Sequence, residues 1–251
     1  MEQKKYRDLH QIFIAEGDKT AREMLASSLT VECLLAKTTW IRQIPDKLLT
    51  KAKEIIEIND KELSQVSFLK TPNQAVVLAQ IPQYSFDITE IACSLSLYLD
   101  NVQDPGNLGT IIRLSDWFGI RHVLCGKGCA DPYSPKTVQS TMGAIIRVKT
   151  YQTDESFFRK MKNHNPVFPI FGTFLNGENL YTASSLSSRS VIVIGNESKG
   201  ISNELTQYIS RRLMIPQYPP AGIPTSESLN VATAAGIVCA EFRRKDRGEK
   251  N

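Results

Sequence analysis

The run 100–113 combines side chains that can bind a ligand with a turn that can position them. A buried strand over 94–99 is predicted to end at Asp104-Pro105-Gly106, because these residue types favour turns over sheet ladders. Asn107 is then predicted to cap a helix with apolar residues at helical spacing. Arg113 falls on a different face of that helix, so packing alone does not account for it. Either it is a solvated arginine, or it binds an anionic group such as phosphate through its guanidinium fork.

A second strand, loop and helix surround an acidic residue. The β-branched run 191–194 predicts a strand, and 201–211 is predicted to be helical. Between them, Gly195 and Gly200 permit positive φ and close approach of a ligand to the backbone, and Glu197 lies in the loop. The alternative is an ordinary strand-to-helix turn.

A third segment has the same organisation near the end of the chain. The apolar strand 213–216 is followed by the proline-rich loop 217–226 and then by a helix predicted to begin at about Ser228. The helix is rich in small residues, which let a partner group approach its backbone. Asn230 has a poor helix propensity, so its side chain is expected to take part in a site; the alternative is that Ser228 or Asn230 caps the helix.

The order of predicted elements indicates an α/β protein with two units. Residues 1–82 alternate helical and strand segments, 83–92 form the predicted linker, and 93–251 form the second unit. In the second unit, strands are predicted near Ser94, His122, Ile145, Val167, Ser190 and Arg212. Because helical stretches separate them, a mostly parallel sheet covered on both faces is expected.

Three segments in this order resemble the three motifs of the SpoU family of RNA 2′-O-ribose methyltransferases. The matching segments are 101–119, 191–200 and 214–235. Upstream, Lys5-Tyr6-Arg7 and the segments 13–17 and 71–77 resemble the substrate-binding domain often fused to these enzymes. The resemblance implies a trefoil-knotted catalytic domain of the SPOUT class, preceded by a smaller domain like ribosomal protein L30e.

The resemblance also implies roles for individual residues. S-adenosylmethionine would be the cofactor, held by backbone at Gly195, Ile215 and Leu229, and by Thr173. The reaction centre would be lined by five side chains: Asn107, Arg113, Glu197, Ser228 and Asn230. Family accounts make the arginine a base, but a guanidinium stays protonated and has no acceptor atom. Gripping a phosphate and stabilising charge on the 2′ oxygen is the alternative role.

One part of the third motif departs from the family pattern. The loop 217–226 is longer than the usual connection between the Ile-Pro and Ser-Leu-Asn parts of the motif. Its prolines predict a stiff excursion beside the cofactor. The departure therefore concerns pocket shape and substrate choice more than the identity of the reaction.

Composition is consistent with an RNA partner. The net charge is +4, with 12 Lys and Arg against 13 Asp and Glu in residues 1–92 and 18 against 13 in the remainder. Phosphate contact is therefore expected mainly from the catalytic unit. Five scattered cysteines predict a reducing, cytoplasmic environment with no disulfide framework. Neither a metal site nor a membrane span is predicted.

Several alternatives remain at this level. A non-catalytic RNA-binding or ribosome-assembly protein could have this fold, although Asn107, Arg113, Glu197 and Asn230 together favour an enzyme. A dinucleotide-dependent enzyme should have a Gly-x-Gly-x-x-Gly turn, which follows none of the predicted strands. Ribosomal RNA is the preferred substrate because of the resemblance of the N-terminal unit, with transfer RNA the alternative. A homodimer is expected by analogy with the family.

Overall fold

The computed structural model describes residues 2–219 and 226–248, and within them the strands form two sheets. The N-terminal sheet has the order β1-β4-β2-β3, with β2 and β3 parallel and the other pairs antiparallel. Its elements are α1 (Lys4–His10), β1 (Ile12–Glu16), α2 (Asp18–Ala26), β2 (Val31–Ala36), α3 (Thr38–Ile41), α4 (Asp46–Leu49), β3 (Ala52–Glu57), α5 (Asp60–Val66) and β4 (Ala75–Gln80).

The C-terminal sheet is parallel throughout, in the order β10-β8-β9-β5-β6-β7. The elements of this unit are α6 (Ile88–Ala92), β5 (Leu95–Leu99), α7 (Pro105–Trp117), β6 (His122–Cys125), α8 (Pro135–Thr141), a 3₁₀ turn (Ala144–Ile146), β7 (Lys149–Gln152), α9 (Ser156–His164), β8 (Ile170–Asn179), β9 (Ser190–Ile194), α10 (Asn203–Thr206), β10 (Arg211–Met214) and α11 (Val231–Gly248). The predicted α/β class, with a parallel C-terminal sheet and a smaller N-terminal unit, is confirmed. The trefoil knot stays a prediction.

Helices cover both faces of the C-terminal sheet, as expected for parallel strands. In β9, Ile192 and Ile194 pack with α7, α8 and α11, whereas Val191 and Val193 pack with α6, α9 and α10. The apolar cluster around Ile192 and Ile194 continues into the N-terminal unit, where the Phe13 ring lies 5.1 Å from the Tyr133 ring. The two sheets are thus joined by shared apolar packing.

Ion pairs reinforce this junction. Arg7 of α1 is 3 % exposed and its Nη2 lies 2.6 Å from an Asp131 carboxylate oxygen. Arg147 donates to Glu23 of α2 at 2.9 Å and to Asp116 of α7 at 2.8 Å, and both carboxylates raise its pKa. Through Arg147, the N-terminal unit is therefore linked to the helix that carries Arg113.

Helix α7 begins earlier than the sequence predicts. Asp104, rather than Asn107, is the N-cap: its side chain accepts from the Asn107 amide at 2.8 Å. Pro105 occupies the first turn, where its fixed φ is compatible with a helix and no amide is needed. The helix ends before Gly119, whose φ of +63° is a left-handed conformation that glycine adopts without strain. The capping role of Asp104 leaves the Asn107 side chain available for other contacts.

Other predicted boundaries were wrong for local reasons. The helix predicted over 201–211 is only Asn203–Thr206, because Ser210 exchanges hydrogen bonds with Ile170 and joins β8 instead. The strand predicted near Ile145 begins at Lys149, after a 3₁₀ turn that follows Gly143 at φ +90°. The linker 83–92 stays a prediction, and its second half contains helix α6, capped by Asp87.

Helices α7 and α8 approach each other closely at Gly109. A β-carbon there would lie 2.5 Å from both the Thr137 carbonyl oxygen and the Ser140 β-carbon. Gly109→Ala is therefore expected to lower the free energy of unfolding by about 1–3 kcal/mol, as overpacking does. Gly236→Ala in α11 is the matched control, because its nearest contact would be a tolerable 3.4 Å from Leu114.

Urea unfolding of both alanine variants measures the difference. The control is expected to be neutral or to gain up to about 1 kcal/mol from the higher helix propensity of alanine. Equal stability of the two variants would contradict the close approach at Gly109.

His122 is completely buried at the start of β6, and burial lowers its pKa below 6.5 even though Glu90 of α6 opposes this. Its Nδ1 lies 3.2 Å from the Tyr151 hydroxyl, and its Nε2 lies 3.5 Å from a Glu90 oxygen. The unfolded chain takes up a proton below pH 6.5 that the buried ring resists. The free energy of unfolding should therefore fall as the pH drops below 6.5.

His122→Phe removes the ionisable ring, so denaturant unfolding at pH 5 to 7 should show a smaller loss of stability on acidification than in the wild type. Tyr151→Phe is the control, because it removes the hydroxyl partner and leaves the imidazole to titrate. If the free energy of unfolding of His122→Phe fell with pH as steeply as that of the wild type, other groups would be the cause of the acid sensitivity.

Candidate active site

The three sequence motifs converge at one edge of the C-terminal sheet. Parallel strands have their carboxyl ends at a common edge, where ligands bind in open α/β folds. The loops after β5, β9 and β10 leave the sheet at this edge. They bring Asn107, Glu197 and Asn230 into direct contact, although these residues lie far apart in the sequence.

The contact is a set of hydrogen bonds centred on one carboxylate oxygen. Glu197 Oε1 accepts from Asn107 Nδ2 at 3.1 Å, from Asn230 Nδ2 at 2.8 Å and from the Val231 amide at 3.0 Å. Asn230 Nδ2 also donates to Asn107 Oδ1 at 2.9 Å. Each of the three motifs therefore supplies one side chain to the same cluster.

Asn230 fulfils both roles left open by its sequence. Its Oδ1 accepts from the Ala232 and Thr233 amides at 3.0 and 3.2 Å, as an N-cap does. Helix α11 consequently begins at Val231 rather than near Ser228. The same side chain uses its amide nitrogen to bind Asn107 and Glu197, so the helix start and the cluster are built together.

Glu197 lies at the N-terminus of α11, where a helix favours negative charge. Its Oε2 has no hydrogen-bond partner among the described residues, although Oε1 has three. Residue 197 is exposed, so solvent or a substrate can reach this oxygen. The cluster therefore presents a fixed carboxylate with one free acceptor atom.

A cleft of about 310 Å³ adjoins the cluster and is lined by Asn107, Glu197 and Val231. This volume is at the lower end of the ~300–1,000 Å³ range for small-ligand sites. Its other lining residues are Val102, Gln103, Asp104, Asn196, Ser198 and Lys199. The cleft thus combines the acidic cluster with the cationic side chain of Lys199.

Two predicted reaction-centre residues lie outside this cluster. Arg113 is exposed on α7 and forms no hydrogen bond or ion pair with the described part of the chain. It lies six residues beyond Asn107, about 9 Å along the helix axis at a rise of about 1.5 Å per residue. Ser228 is also exposed, without a hydrogen bond to residues 2–219 or 226–248.

Three of the predicted cofactor residues lie in or directly after three adjacent strands. Thr173 in β8 donates its hydroxyl to the Val193 carbonyl at 3.4 Å, Gly195 follows β9, and Ile215 follows β10. Leu229 is 45 % exposed beside Asn230. The backbone groups of Ile215 and Leu229 form no hydrogen bond with the described residues, so they can bind a ligand.

The loop after β9 explains why position 195 requires glycine. A β-carbon on Gly195 would lie 2.3 Å from the Gly200 carbonyl carbon, because Asn196 and Gly200 pair as a β-bridge. The close approach predicted for a ligand is therefore made by the loop itself. Glu197 lies in the turn that this bridge closes.

Sequence reasoning missed residues that hold these loops. Asn196 Nδ2 donates to the Asn101 carbonyl at 2.9 Å, and Asp100 Oδ2 accepts from the Ser202 amide at 2.7 Å. Both bonds join the loops after β5 and β9. For Asp100 the signal was a polar residue directly after a buried strand, whereas the residue types give no such signal for Asn196. Of the loop 217–226, residues 220–225 lie outside the described structure, and Gln217 Nε2 donates to the Ser226 carbonyl at 3.2 Å.

Comparison with known families decides between the alternatives. The model of the SpoU rRNA Methylase family matches residues 94–240, which is more than half of the chain. The chain belongs to this family. Residues 1–77 match the model of the MRM3-like substrate binding domain. The sequence-based resemblance to SpoU methyltransferases with an N-terminal substrate-binding domain is thereby confirmed.

Individual relatives match along almost the whole SpoU-family chain. The 23S rRNA (guanosine(2553)-2′-O)-methyltransferase RlmP of Bacillus subtilis (strain 168) is 30 % identical over 96 % of this chain and 92 % of its own length. Human mitochondrial rRNA methyltransferase 3 is 26 % identical over 97 % of this chain and 70 % of its own.

A solved structure gives the same result. The AdoMet-bound rRNA methyltransferase of Sinorhizobium meliloti has a TM-score of 0.84 and 29 % identity, covering 97 % of this chain and 91 % of its own.

The described residues contain no cluster of His, Cys, Asp or Glu able to hold a metal ion. None of the described helices is long and apolar enough to span a membrane.

Proposed function

We propose that this SpoU-family enzyme transfers a methyl group from S-adenosylmethionine to a ribose 2′-hydroxyl of ribosomal RNA. The observation that carries the proposal is the joining of all three motifs at Glu197. A carboxylate held by two amide side chains and a helix N-terminus is a built site, and its free oxygen can accept a hydrogen bond from a ribose hydroxyl.

The residues beside the cluster fit this cofactor by their chemistry. Backbone groups of Ile215 and Leu229 without partners in the described structure can bind the polar edge of an adenine ring. The half-buried Ile215 and partly exposed Leu229 side chains offer apolar surface for its faces. When bound, S-adenosylmethionine supplies an electrophilic methyl group on a sulfonium centre.

The protein's own contribution would be alignment and charge. Glu197 Oε2 would orient the ribose by accepting a hydroxyl hydrogen bond, and Asn107 and Asn230 hold that carboxylate in place. Arg113 would bind the neighbouring phosphate and stabilise the negative charge that develops on the 2′ oxygen. Ser228 would line the reaction centre, and Thr173 would help to hold the cofactor. These assignments rest on the motif positions together with the contacts of Glu197.

Ribosomal RNA is favoured over transfer RNA by the relatives, whose names specify ribosomal RNA. Incubating the protein with methyl-labelled S-adenosylmethionine and separate pools of unmodified ribosomal and transfer RNA tests the choice. Label in ribosomal RNA alone is expected. Label in transfer RNA alone would overturn the substrate assignment but would still support methyl transfer from S-adenosylmethionine to RNA.

The proposal includes a homodimer assembled through α7. Trp117 is 84 % exposed, and Thr110 and Arg113 are exposed on the same side of the helix at helical spacing. Burying this face against a second copy would remove a large apolar ring from water and place Arg113 at the interface.

Sedimentation equilibrium tests the dimer. The wild type is expected to be dimeric, and Trp117→Ser is expected to shift it towards monomer. Val167→Ser is the control, because Val167 is 86 % exposed elsewhere on the molecule. Equal mass of the two variants would contradict the assignment of this face.

We retain the domain boundaries as part of the proposal: residues 1–82 bind RNA, 83–92 connect, and 93–251 form the catalytic domain. The separate sheets and the two matched family models support this division. The cytoplasm is the proposed location, consistent with free cysteines among the described residues.

A further inference from the structure

A second cleft, of about 1040 Å³, opens between the two units. We call it the interdomain cleft. Its walls come from α1, from the segment 81–86, from the loop after β6 and from the loop after β7. Since β6 and β7 are parallel to β5 and β9, this cleft opens at the same edge of the sheet as the candidate active site.

Hydrogen bonds connect the floor of this cleft to the active-site loops. In the loop after β6, the Ala130 amide donates to the Val102 carbonyl at 2.9 Å. The next contact along the edge is from Asn196 to the Asn101 carbonyl, and Glu197 follows Asn196. A polymer whose reacting unit lies at Glu197 can therefore extend across these loops into the interdomain cleft.

An aromatic side chain lies in the cleft wall with part of its ring exposed. Phe86 is 36 % exposed and makes edge-on contacts with Tyr151 and Phe157, at ring-centre distances of 5.7 and 5.9 Å. Lys160 Nζ lies 5.8 Å from the centre of the same ring. A ring fixed by two neighbours is a suitable platform for a nucleobase, because base–aromatic stacking tolerates any sequence.

The charges of the cleft suit a phosphate backbone. Lys4, Lys127 and Lys160 are exposed in its lining and form no ion pair with the described residues. The acidic lining residue Asp131 is already paired with Arg7, at 2.6 Å. Asp8 and Asp154 offset part of the positive charge, so the lysines provide individual phosphate contacts rather than a broad basic surface.

We propose that the interdomain cleft binds a short single-stranded run of the RNA next to the methylated nucleotide. One base stacks on Phe86, and Lys127 and Lys160 contact phosphates. At about 1040 Å³ the cleft lies at the upper end of the ~300–1,000 Å³ range of small-molecule sites, so it has room for more than a single nucleoside. This inference rests on the proposed function, because it takes RNA to be the substrate.

The first test changes the charge of the cleft. Lys127→Glu/Lys160→Glu is compared with Arg121→Glu/Lys162→Glu, which makes an equal change in charge at residues that do not line the cleft. Binding of a fluorescein-labelled six-nucleotide RNA is titrated at fixed salt. The double variant in the cleft should bind the RNA about tenfold or more weakly than the wild type, because both substitutions remove a phosphate contact. The control double variant should bind it at most about twofold more weakly. Equal weakening of the two pairs would overturn the inference.

The second test concerns the ring. Phe86→Trp retains a stacking surface, so its affinity for the six-nucleotide RNA should equal that of the wild type. Phe86→Leu retains only apolar bulk, so its affinity should be lower. Thermal unfolding of each variant confirms that it folds. Equal binding by Phe86→Trp and Phe86→Leu would overturn the stacking role.

Methyl transfer is measured in parallel on ribosomal RNA. If the wild type binds S-adenosylmethionine but methylates no RNA, the proposed function fails, and the oligonucleotide titration still decides whether the cleft binds RNA. If the wild type methylates RNA and the cleft pair has an unchanged KM for it, the cleft inference alone fails.

Discussion

Replacing Arg113 with lysine is expected to lower kcat for RNA methylation by about 10²–10³-fold, the usual cost of removing one group that stabilises transition-state charge. Lysine keeps the positive charge but loses the planar fork that binds phosphate through two parallel hydrogen bonds. Arg113 is exposed and has no partner among the described residues, so the fold should not change. Initial rates at saturating RNA and S-adenosylmethionine give kcat.

The affinity for S-adenosylmethionine should stay within about twofold of wild type, because the cofactor is assigned to other loops. Arg121→Lys is the matched control: it is an exposed arginine just before β6, at the end of the strands opposite to the candidate active site. Its rate should equal that of the wild type. If Arg113→Lys turned over normally, the proposed role of the guanidinium fork would be wrong.

Glu197→Gln is expected to lower kcat by about 100-fold while leaving stability almost unchanged. A glutamine carbonyl can still accept from Asn107, Asn230 and the Val231 amide, which all bind one oxygen in the wild type. What it loses is the second oxygen, which becomes an amide nitrogen and can no longer accept a hydrogen bond. The substitution therefore separates the chemical role of the carboxylate from its structural one.

Glu197→Ala is the companion variant, because it removes both oxygens. It should lose activity as Glu197→Gln does and should also have a lower melting temperature, since three donors lose their partner. Circular dichroism melts and initial rates of both variants make the comparison. Full activity in Glu197→Gln would mean that this residue only holds the loops together.

Much of the fold could be predicted because local pattern and tertiary environment agree. The run 191–194 is β-branched and lies in a strand covered on both faces, so its apolar residues are all buried, as both the local pattern and the tertiary environment require. Gly119 adopts the positive φ that its type permits. Boundaries were less predictable where tertiary bonds compete with helix formation. Ser210 bonds to β8 and ends a helix that its sequence would allow to continue.

The candidate site was predictable in its residues but not in its connections. Sequence motifs identified Asn107, Glu197 and Asn230, yet only the fold shows that one oxygen of Glu197 joins all three. The capping role given to Asn107 belongs to Asp104, three residues earlier, because proline at the first helical position sets the helix start. Asn196 was missed because its partner, the Asn101 carbonyl, is backbone and leaves no trace in residue types.

The position of the transferred methyl group tests the central claim most directly. Ribosomal RNA is incubated with the wild type and methyl-labelled S-adenosylmethionine and then hydrolysed with alkali, which cannot cleave the backbone after a 2′-O-methylated ribose. Label in alkali-resistant dinucleotides is predicted for the wild type, with a large loss for Arg113→Lys and Glu197→Gln. Label in single nucleotides would place the methyl group on a base and contradict the proposed reaction.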